Sequence, residues 1–360
     1  MKAAVLYEHN KPLVIEDIEI EDPKPGEVMV KIVAAGVCHS DISHMEGIVP
    51  TPLPMVMGHE GAGVVEKVGE GVTRLQPGDH VILVWVPSCG VCRNCARGKP
   101  YLCASGPMAT MRDGTTRFKK GEQRIFHQTA VSSFAEYTVT HEDAVVKIRD
   151  DMPLEKAALI GCSVMTGVGA VINTAKVEIG SSVAVFGCGG VGLNVIQGAA
   201  LAGATKIIAV DTLENKLEMA KTFGATHFVN ASIEDAVEKI REIAAPTGCD
   251  YSFEVIGIPE VVSEAFDAVE PGGTAVMVGM PPIESKVSIS TLGLFVGKTL
   301  KGAFYGSARA RIDMPILCDL YMAGKLKLDE LISRSYSIEQ INDAFEALRN
   351  GEVARSIVRF

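Results

Sequence analysis

The sequence predicts an α/β protein in which a β-rich unit is joined to a doubly wound parallel sheet. Three observations support this fold class. Short β-branched runs separated by Gly and Pro fill the first half, which is typical of a barrel-like β unit. After Asp150-Asp151, strand patterns alternate with helical ones, as in βαβ units. A glycine-rich turn joins the first strand of that second half to its first helix.

The predicted strands of the first half are ended by turn residues such as Pro25-Gly26 and Pro77-Gly78. These strands lie at 28–34, 61–68, 80–86 and 137–139. In the second half, the predicted strands lie at 182–186, 206–210, 227–230, 250–255, 273–278 and 299–304. The predicted helices between them lie at 190–202, 214–223, 234–244 and 260–269.

The tail carries two more helical patterns, at 314–323 and 338–350, and we expect it to pack back on the first unit. The expected domains are therefore a β-rich domain at 1–163, a nucleotide-binding domain at 164–304 and a C-terminal return at 305–360. A length of 360 residues fits two domains, since a typical domain has about 150 residues.

Composition narrows the function classes. Hydrophobic residues make up 47% and charged residues 22%, as in ordinary globular proteins. The 34 basic and 44 acidic residues give a net charge of −10 without a basic block, so we expect neither nucleic acid nor an anionic membrane as a partner. A small-molecule substrate is the expected partner.

The uncharged stretch from Ser181 to Thr205 is long enough to span a bilayer. Glycines between Gly187 and Gly190 interrupt it, and the polar Asn194 and Gln197 follow at helical spacing, so we expect no membrane span. The nine cysteines are odd in number, and no secretion signal precedes them, which argues against a disulfide framework. We expect a cytoplasmic, reducing location.

The glycine turn has the pattern Gly187-x-Gly189-x-x-Gly192 after a β-branched strand. The first glycine permits a tight turn, the second lets the backbone approach a pyrophosphate, and the third lets helix and strand pack closely. The helix that begins at Gly190 and Val191 offers free N–H groups to phosphate. The pattern in this context predicts a dinucleotide site, the alternative being a packing turn.

Asp211 ends the next predicted strand. A carboxylate there accepts hydrogen bonds from ribose hydroxyls and repels a 2′-phosphate, so the sequence favours NAD over NADP. Lys216 is close enough in sequence to reach the same ribose. The alternative for Asp211 is a solvated surface carboxylate.

Four cysteines cluster within one loop, at Cys89, Cys92, Cys95 and Cys103. Four thiolates form a closed tetrahedral site, which is typical of structural zinc. An iron–sulfur cluster or free thiols are the alternatives. The bacterial ferredoxin motif has a shorter last gap followed by proline, whereas Ala104 follows here, and this favours zinc.

Cys38, His59 and Cys162 stand in the patterns Gly-Val-Cys-His-Ser-Asp, Gly-His-Glu and Gly-Cys-Ser. Each has an ordinary alternative, since a buried Cys is often a packing residue and a lone His is often structural. Because these three residues lie far apart in the sequence, their spacing alone does not show that they share one site.

The run Gly58-His59-Glu60-x-x-Gly63-x5-Gly69-x-x-Val72 resembles the signature of zinc-containing alcohol dehydrogenases of the medium-chain dehydrogenase/reductase superfamily. The four-cysteine loop, Gly161-Cys162 and the glycine turn occur in the order typical of that family. The resemblance covers essentially the whole chain. It implies a GroES-like β domain with a Rossmann domain, two zinc ions per subunit and NAD.

The same resemblance implies roles for individual residues. Cys38, His59 and Cys162 correspond to the catalytic zinc ligands. Glu60 corresponds to an acidic neighbour of the metal, and Asp41 to the carboxylate that orients the ligating His.

Ser40 corresponds to the hydroxyl that takes the substrate proton, and Thr166 to a residue near the nicotinamide. His39 and Arg355 correspond to basic residues at the pyrophosphate, the alternative being surface charge. Many relatives carry a His relay five residues after the zinc Cys; here that position is Ser43, and His44 is one residue out of phase on a helix.

We therefore expect an NAD-dependent zinc alcohol dehydrogenase acting on a primary or secondary alcohol, and a homo-oligomer, with a dimer favoured over a tetramer. A dehydrogenase of a thiol-conjugated S-hydroxymethyl substrate or of a polyol is the alternative on the same fold. A redox sensor that binds NAD(H) and zinc without turnover is the non-enzyme alternative.

Overall fold

The structure is a computed structural model that describes residues 1–106 and 108–360. The chain divides into two compact units. Unit 1 comprises Met1–Cys162 together with Arg309–Phe360, and unit 2 comprises Ser163–Ala308.

Unit 1 is built around the long strand Glu27–Val37, whose side chains are mostly buried. It pairs antiparallel with Glu60–Val68, Tyr137–His141 and Arg355–Arg359. In the first of these pairs, Gly36 lies opposite Glu60. Because the two strands run in opposite directions, the residues just after Val37 and just before Glu60 meet at the same end of the sheet.

Two sheets of seven and six strands form the β-rich part of unit 1. Their strands are Lys2–Leu6, Val14–Asp17, Glu19–Ile20, Glu27–Val37, Met55–Val56, Glu60–Val68, His80–Leu83, Phe118–Lys120, Gln123–His127, Tyr137–His141, Val145–Lys147, Ile332–Ser337 and Arg355–Arg359. Its α-helices are His39–Met45, Arg93–Ala96, Leu154–Leu159, Ala310–Met322 and Ile341–Arg349.

The last helix packs its apolar face into the core of unit 1. Ile341 and Phe345 are buried in one cluster with Leu6 and Val37. The ring of Phe345 meets that of Phe134 edge to face, with centroids 5.9 Å apart. This burial explains why the C-terminal segment belongs to unit 1, although unit 2 separates it from the rest in sequence.

Unit 2 is a six-stranded sheet in which every pair of neighbours is parallel. Taken across the sheet, the strands are His227–Asn230, Lys206–Asp211, Ser182–Phe186, Cys249–Glu254, Val269–Met277 and Thr299–Gly302. This is the 3-2-1-4-5-6 order of a doubly wound dinucleotide fold. The predicted fold class is therefore confirmed.

The helices of unit 2 are Met165–Gly169, Gly190–Leu201, Glu214–Thr222, Ala236–Ile243, Pro259–Ala268 and Thr291–Phe295. Four of them lie close to the predicted ranges, whereas Met165–Gly169 and Thr291–Phe295 were not predicted. The helix predicted from 234 begins at Ala236, because the Asp235 side chain accepts a hydrogen bond from the Glu238 N–H at 2.9 Å and caps the helix.

The uncharged stretch from Ser181 to Thr205 is broken into a strand and the helix Gly190–Leu201. Among the described residues, a single helical stretch, Leu154–Ala175, is long and apolar enough to cross a bilayer. Its most apolar window is 78% buried inside the protein, as in a core helix.

Unit 1 also buries polar side chains that are paired. Arg117 is fully buried and donates two hydrogen bonds to the Glu27 carboxylate, at 2.8 and 2.6 Å. The neighbouring His127 is fully buried, and its ring stacks on that of Phe118 with centroids 4.3 Å apart. Its Nε2 atom accepts a hydrogen bond from the Arg117 backbone N–H. Burial, together with the charges of Arg117 and Arg124, lowers the pKa of His127 to about 3.

This buried histidine predicts acid sensitivity of unit 1. The unfolded chain binds the His127 proton with a pKa of about 6.5, so the free energy of unfolding falls as pH drops below that value, until about pH 3. The contribution of one such group is up to about 1.4 kcal/mol per pH unit. His127→Gln keeps an acceptor for the Arg117 N–H and should flatten this dependence, as measured by denaturant unfolding between pH 7 and 4. The partly exposed His227→Gln is the control, and an equal effect of both would contradict the assignment.

Candidate metal centres and nucleotide site

The first candidate site lies where the two central strands of unit 1 end. Cys38 directly follows Glu27–Val37, and His59 directly precedes Glu60–Val68, so the antiparallel pairing brings them together. Cys162 comes from the π-helical turn Ile160–Val164, a distortion that often occurs at functional sites. Cys38, His59 and Cys162 are 5%, 3% and 6% exposed.

The donor atoms of Cys38, His59, Glu60 and Cys162 all lie within 4.8 Å of one another. The His59 Nε2 and Cys162 Sγ atoms are 3.3 Å apart. Two donors bound to one tetrahedral zinc are separated by about 3.5 Å, given Zn–S of about 2.3 Å and Zn–N of about 2.0 Å. The residue types and their spacing therefore fit a buried zinc with two sulfur ligands and one nitrogen ligand.

Asp41 fixes the orientation of the imidazole. Its Oδ1 atom lies 2.7 Å from the His59 Nδ1 atom, and its Oδ2 atom accepts the Cys38 N–H at 3.1 Å. A proton on Nδ1 leaves Nε2 as the free lone pair that a metal needs. Burial lowers the pKa of His59, but the charge and hydrogen bond of Asp41 outweigh it and hold that pKa well above its ordinary value.

The two thiols differ in acidity. A hydrogen bond from Cys162 and the nearby charge of Arg355 lower the pKa of Cys38, against the effect of burial. The hydrogen bond with Cys38, together with burial, raises the pKa of Cys162. Without a cation between them, the pair thus favours one thiolate and one thiol, whereas a dication stabilises both as thiolates.

Glu60 and Arg355 form an ion pair with 0% and 3% exposure. Burial raises the pKa of Glu60, and the charge of Arg355 lowers it; the net result is a pKa of about 7. The resemblance implies a pyrophosphate contact for Arg355; in the structure one of its guanidinium nitrogens, Nη2, donates to the Glu60 carboxylate. Sequence spacing carried no signal for this pair, whose members are 295 positions apart.

The other residues implied by the resemblance lie in different surroundings. Ser40 is half-buried, with its Oγ atom 3.7 Å from the Cys38 Sγ atom, while His39 is exposed. His44 bonds the Thr51 hydroxyl through Nδ1 at 2.7 Å. Thr166 lies half-buried in the helix Met165–Gly169 of unit 2.

The four-cysteine loop forms the second candidate metal centre, and it is partly exposed. The Sγ atom of Cys103 lies 3.9 Å from that of Cys92 and 3.6 Å from that of Cys89. Sulfur atoms around one tetrahedral zinc are about 3.8 Å apart. Hydrogen bonds from Ser105 and from backbone N–H groups lower the pKa of Cys89 to about 6, which favours the thiolate.

The glycine turn of unit 2 has the geometry of a phosphate cradle. Gly187 adopts φ +96°, a conformation that favours glycine. A Cβ atom on Gly192 would lie 1.8 Å from the Gly187 carbonyl oxygen, whereas one on Gly189 would meet nothing within 4 Å. The turn is thus tightly packed on one side and open at Gly189, where the helix Gly190–Leu201 begins.

Asp211 is held in place by the turn itself. Its carboxylate accepts the Cys188 N–H at 2.8 Å and the Leu213 N–H at 3.0 Å. Lys216 is 8% exposed, and burial lowers its pKa, although the charge of Asp211 opposes that shift. The structure therefore brings the glycine turn, Asp211 and Lys216 together.

Two buried residues near these sites were not singled out by the sequence. Glu254 ends the buried strand Cys249–Glu254 and accepts the Ile256 and Gly257 N–H groups at 2.8 and 2.5 Å, which fixes the loop beside the glycine turn. Gly36 lies against Glu60. The sequence carried two signals that could have pointed to these residues. They are a charged residue at the end of an apolar strand and a glycine within a strand.

The close approach at Gly36 predicts a sensitive position. A Cβ atom there would lie 2.2 Å from the Glu60 Oε2 atom, and Glu60 is held by Arg355. Gly36→Ala should lower the free energy of unfolding by about 1–3 kcal/mol, as overpacking does. Gly302→Ala, where a Cβ atom meets nothing within 4 Å, is the control in denaturant titrations. Equal stability of the two variants would contradict the packing argument.

Comparison with known proteins identifies the two units. A family model for the alcohol dehydrogenase GroES-like domain matches residues 24–150. A second model, for zinc-binding dehydrogenases, matches residues 190–321. Together they cover more than half of the chain.

Individual relatives extend over the full length. The S-(hydroxymethyl)glutathione dehydrogenase of Paracoccus denitrificans is 44% identical, with 100% of this chain and 99% of that protein covered. The class-3 alcohol dehydrogenase of Dictyostelium discoideum is 42% identical, with 99% and 97% covered. The crystal structure of benzyl alcohol dehydrogenase from Acinetobacter calcoaceticus matches with a TM-score of 0.95 and 35% identity, covering 100% of this chain and 99% of that one.

These matches confirm the resemblance that the motifs indicated. The zinc and NAD that it implied are consistent with the two clusters of metal-binding side chains and with the glycine turn. The chain belongs to the zinc-dependent alcohol dehydrogenases of the medium-chain dehydrogenase/reductase superfamily and is an oxidoreductase that uses zinc and NAD.

Proposed function

We propose that Cys38, His59 and Cys162 hold the catalytic zinc of this alcohol dehydrogenase. The observation that carries the proposal is the convergence of these three buried donors, with Glu60, within 4.8 Å. Three protein ligands leave a tetrahedral ion one position for substrate, as catalytic zinc requires. Cys89, Cys92, Cys95 and Cys103 fill all four positions of a second ion and give the structural site.

Bound zinc supplies a Lewis acid that lowers the pKa of an alcohol hydroxyl, and NAD supplies the hydride acceptor. The chain's own residues do the rest. Asp41 keeps the His59 Nε2 atom facing the site. The Ser40 hydroxyl, close to the Cys38 sulfur, takes the substrate proton and passes it outward.

Arg355 opposes the effect of burial on the pKa of Glu60 and holds the carboxylate in place. Removing Arg355 would leave a carboxylate buried without a partner, which is costly. The exposed His39 remains our candidate for a pyrophosphate contact, and Thr166 for a contact near the nicotinamide. Arg355 binds Glu60 through Nη2, and its Nε atom has no hydrogen-bond partner among the described residues, so Arg355 is also a candidate for the pyrophosphate contact.

In unit 2, the N–H groups at Gly190 and Val191 bind the pyrophosphate beside the open face of Gly189. Asp211, held by two backbone N–H groups, accepts the ribose hydroxyls, and Lys216 binds the same ribose. A fixed carboxylate at this place repels a 2′-phosphate, which supports the preference for NAD.

The substrate is a primary or secondary alcohol. An S-hydroxymethyl thiol conjugate is a second candidate, favoured by the 44% identity to S-(hydroxymethyl)glutathione dehydrogenase. Initial rates of NADH formation should separate the two. Turnover of benzyl alcohol and simple alcohols alone supports the first, and a strict requirement for glutathione with formaldehyde supports the second. A zinc-loaded protein inactive on both would contradict the proposed function.

A dimer formed through unit 2 is our proposal for the assembly. Large apolar side chains are exposed between residues 280 and 304, including Ile283 at 75%, Leu292 at 68% and Phe295 at 86%. They flank Thr299–Gly302, the edge strand of the parallel sheet. An exposed apolar surface of this kind marks an interface.

The nine free cysteines support a reducing, cytoplasmic location.

The two metal centres predict distinct losses. Wild-type protein should hold two zinc ions per subunit by elemental analysis. Cys162→Ser should lose one ion and about 1000-fold or more in kcat/KM while keeping its Tm, because several kcal/mol of transition-state stabilisation are lost. Cys95→Ser should lose the other ion and lower the Tm. Loss of the same ion in both variants would contradict the assignment.

Asp211 predicts cofactor preference. Asp211→Asn keeps the shape but loses the charge, so kcat/KM for NAD should fall by about tenfold and that for NADP should rise, since a charge-assisted hydrogen bond exceeds a neutral one by about 1.4 kcal/mol. Initial rates with both cofactors measure this ratio. The nearby Glu214→Gln is the control, and an unchanged ratio in Asp211→Asn would remove Asp211 from cofactor selection.

A further inference from the structure

A closed ring of hydrogen bonds surrounds the candidate zinc ligand His59, and Gln128 completes it. The Gln128 Nε2 atom donates to the Asp41 Oδ1 atom at 2.9 Å, and its Oε1 atom accepts the Gly58 N–H at 2.5 Å. Asp41 in turn binds the imidazole, and Gly58 is the residue before His59. Gln128 and Asp41 are 0% exposed.

Only one orientation of the amide satisfies this ring. The carboxylate can only accept, and the backbone N–H can only donate, so the amide nitrogen must face Asp41 and the amide oxygen must face Gly58. Asp41 thereby receives three donors: the His59 imidazole, the Gln128 amide and the Cys38 backbone N–H. A buried carboxylate with these three partners has little freedom to rotate.

The Gln128 side chain is not needed to anchor its own loop. The Gln128 backbone N–H donates to the Ser132 hydroxyl at 2.9 Å and approaches the Val56 carbonyl oxygen at 3.2 Å. The Ser132 hydroxyl also donates to that carbonyl at 2.8 Å. The loop is thus held by the Gln128 backbone and the Ser132 hydroxyl, whereas the Gln128 side chain bonds the two groups next to His59, the Asp41 carboxylate and the Gly58 N–H.

We propose that Gln128 is a positioning residue for the catalytic zinc, acting on His59 through the Asp41 carboxylate and through the Gly58 peptide. It touches neither substrate nor metal. By holding Asp41 it keeps the proton on the His59 Nδ1 atom, and by holding the Gly58 peptide it fixes the backbone from which the imidazole projects. The inference rests on the proposed zinc site at Cys38, His59 and Cys162.

The test is a double-mutant cycle on zinc affinity. Gln128→Met keeps the volume and loses both hydrogen bonds, and Asp41→Asn removes the charge that Gln128 holds. The dissociation constant of the catalytic zinc is measured by chelator competition for each single variant and for the double variant. Gln128→Met should bind this zinc about 10–100-fold more weakly, the usual effect of losing a partner one step from the ligands.

Coupling separates this role from a general loss of packing. Because Gln128 acts partly through Asp41, the double variant should lose less binding free energy than the sum of the two single losses, since the effects of residues in one network do not add. The control is Thr140→Val, which removes the hydrogen bond from the Thr140 hydroxyl to the Ala130 carbonyl oxygen, outside the ring, and should leave zinc affinity within about twofold. Cobalt-substituted protein gives a second readout, since a displaced imidazole shifts the visible absorption bands.

Affinity of Gln128→Met equal to wild type, full additivity in the cycle, or an equal loss in Thr140→Val would each overturn the proposal. Each variant counts as folded when its far-ultraviolet circular dichroism matches that of the wild type, and Gln128→Leu replaces the methionine variant if the latter does not. Wild-type protein that holds only the zinc of the four-cysteine loop would instead overturn the proposed function, so the two failures are distinguishable.

Discussion

The antiparallel pairing of Glu27–Val37 with Glu60–Val68 is the constraint on which the proposed metal site depends. Its register sets Gly36 opposite Glu60 and so places Cys38 beside His59 at one end of the sheet. A slip of one residue would turn alternate side chains to the opposite face and separate the ligands. The pairing is buried and lies at the centre of the seven-stranded sheet, so this register is strongly specified.

The site concentrates charge where water is excluded. Asp41, Glu60, Arg355 and His59 are all at most 3% exposed, and two thiols lie among them. Isolated buried charges are unfavourable, so each group here has a partner: Asp41 the imidazole, and Glu60 the guanidinium. Two thiolates at this place would require a further positive charge, which a bound zinc ion would supply. The arrangement of charges thus supports the same conclusion as the distances.

The nucleotide turn and the four-cysteine loop follow a different logic, because each is a local structure. Gly187, Gly189 and Gly192 lie on one turn, and the backbone there leaves no room for a side chain at Gly192. The cysteines of the loop lie close in sequence, and their own backbone N–H groups bind the sulfurs, as with the Cys92 N–H on the Cys89 sulfur at 3.3 Å. Such sites form from contiguous residues and require little from the rest of the fold.

The sequence by itself determined the alternation of strands and helices, the glycine turn with Asp211, and the four-cysteine loop, because backbone geometry and short spacing set these features. It offered Cys38, His59 and Cys162 as a set only through resemblance to a family, since 103 positions separate His59 from Cys162. Tertiary structure alone decided that Arg355 faces Glu60 and that Gln128 closes the ring around His59. Those contacts depend on strand register and on the return of the C-terminal segment to unit 1, which no local pattern encodes.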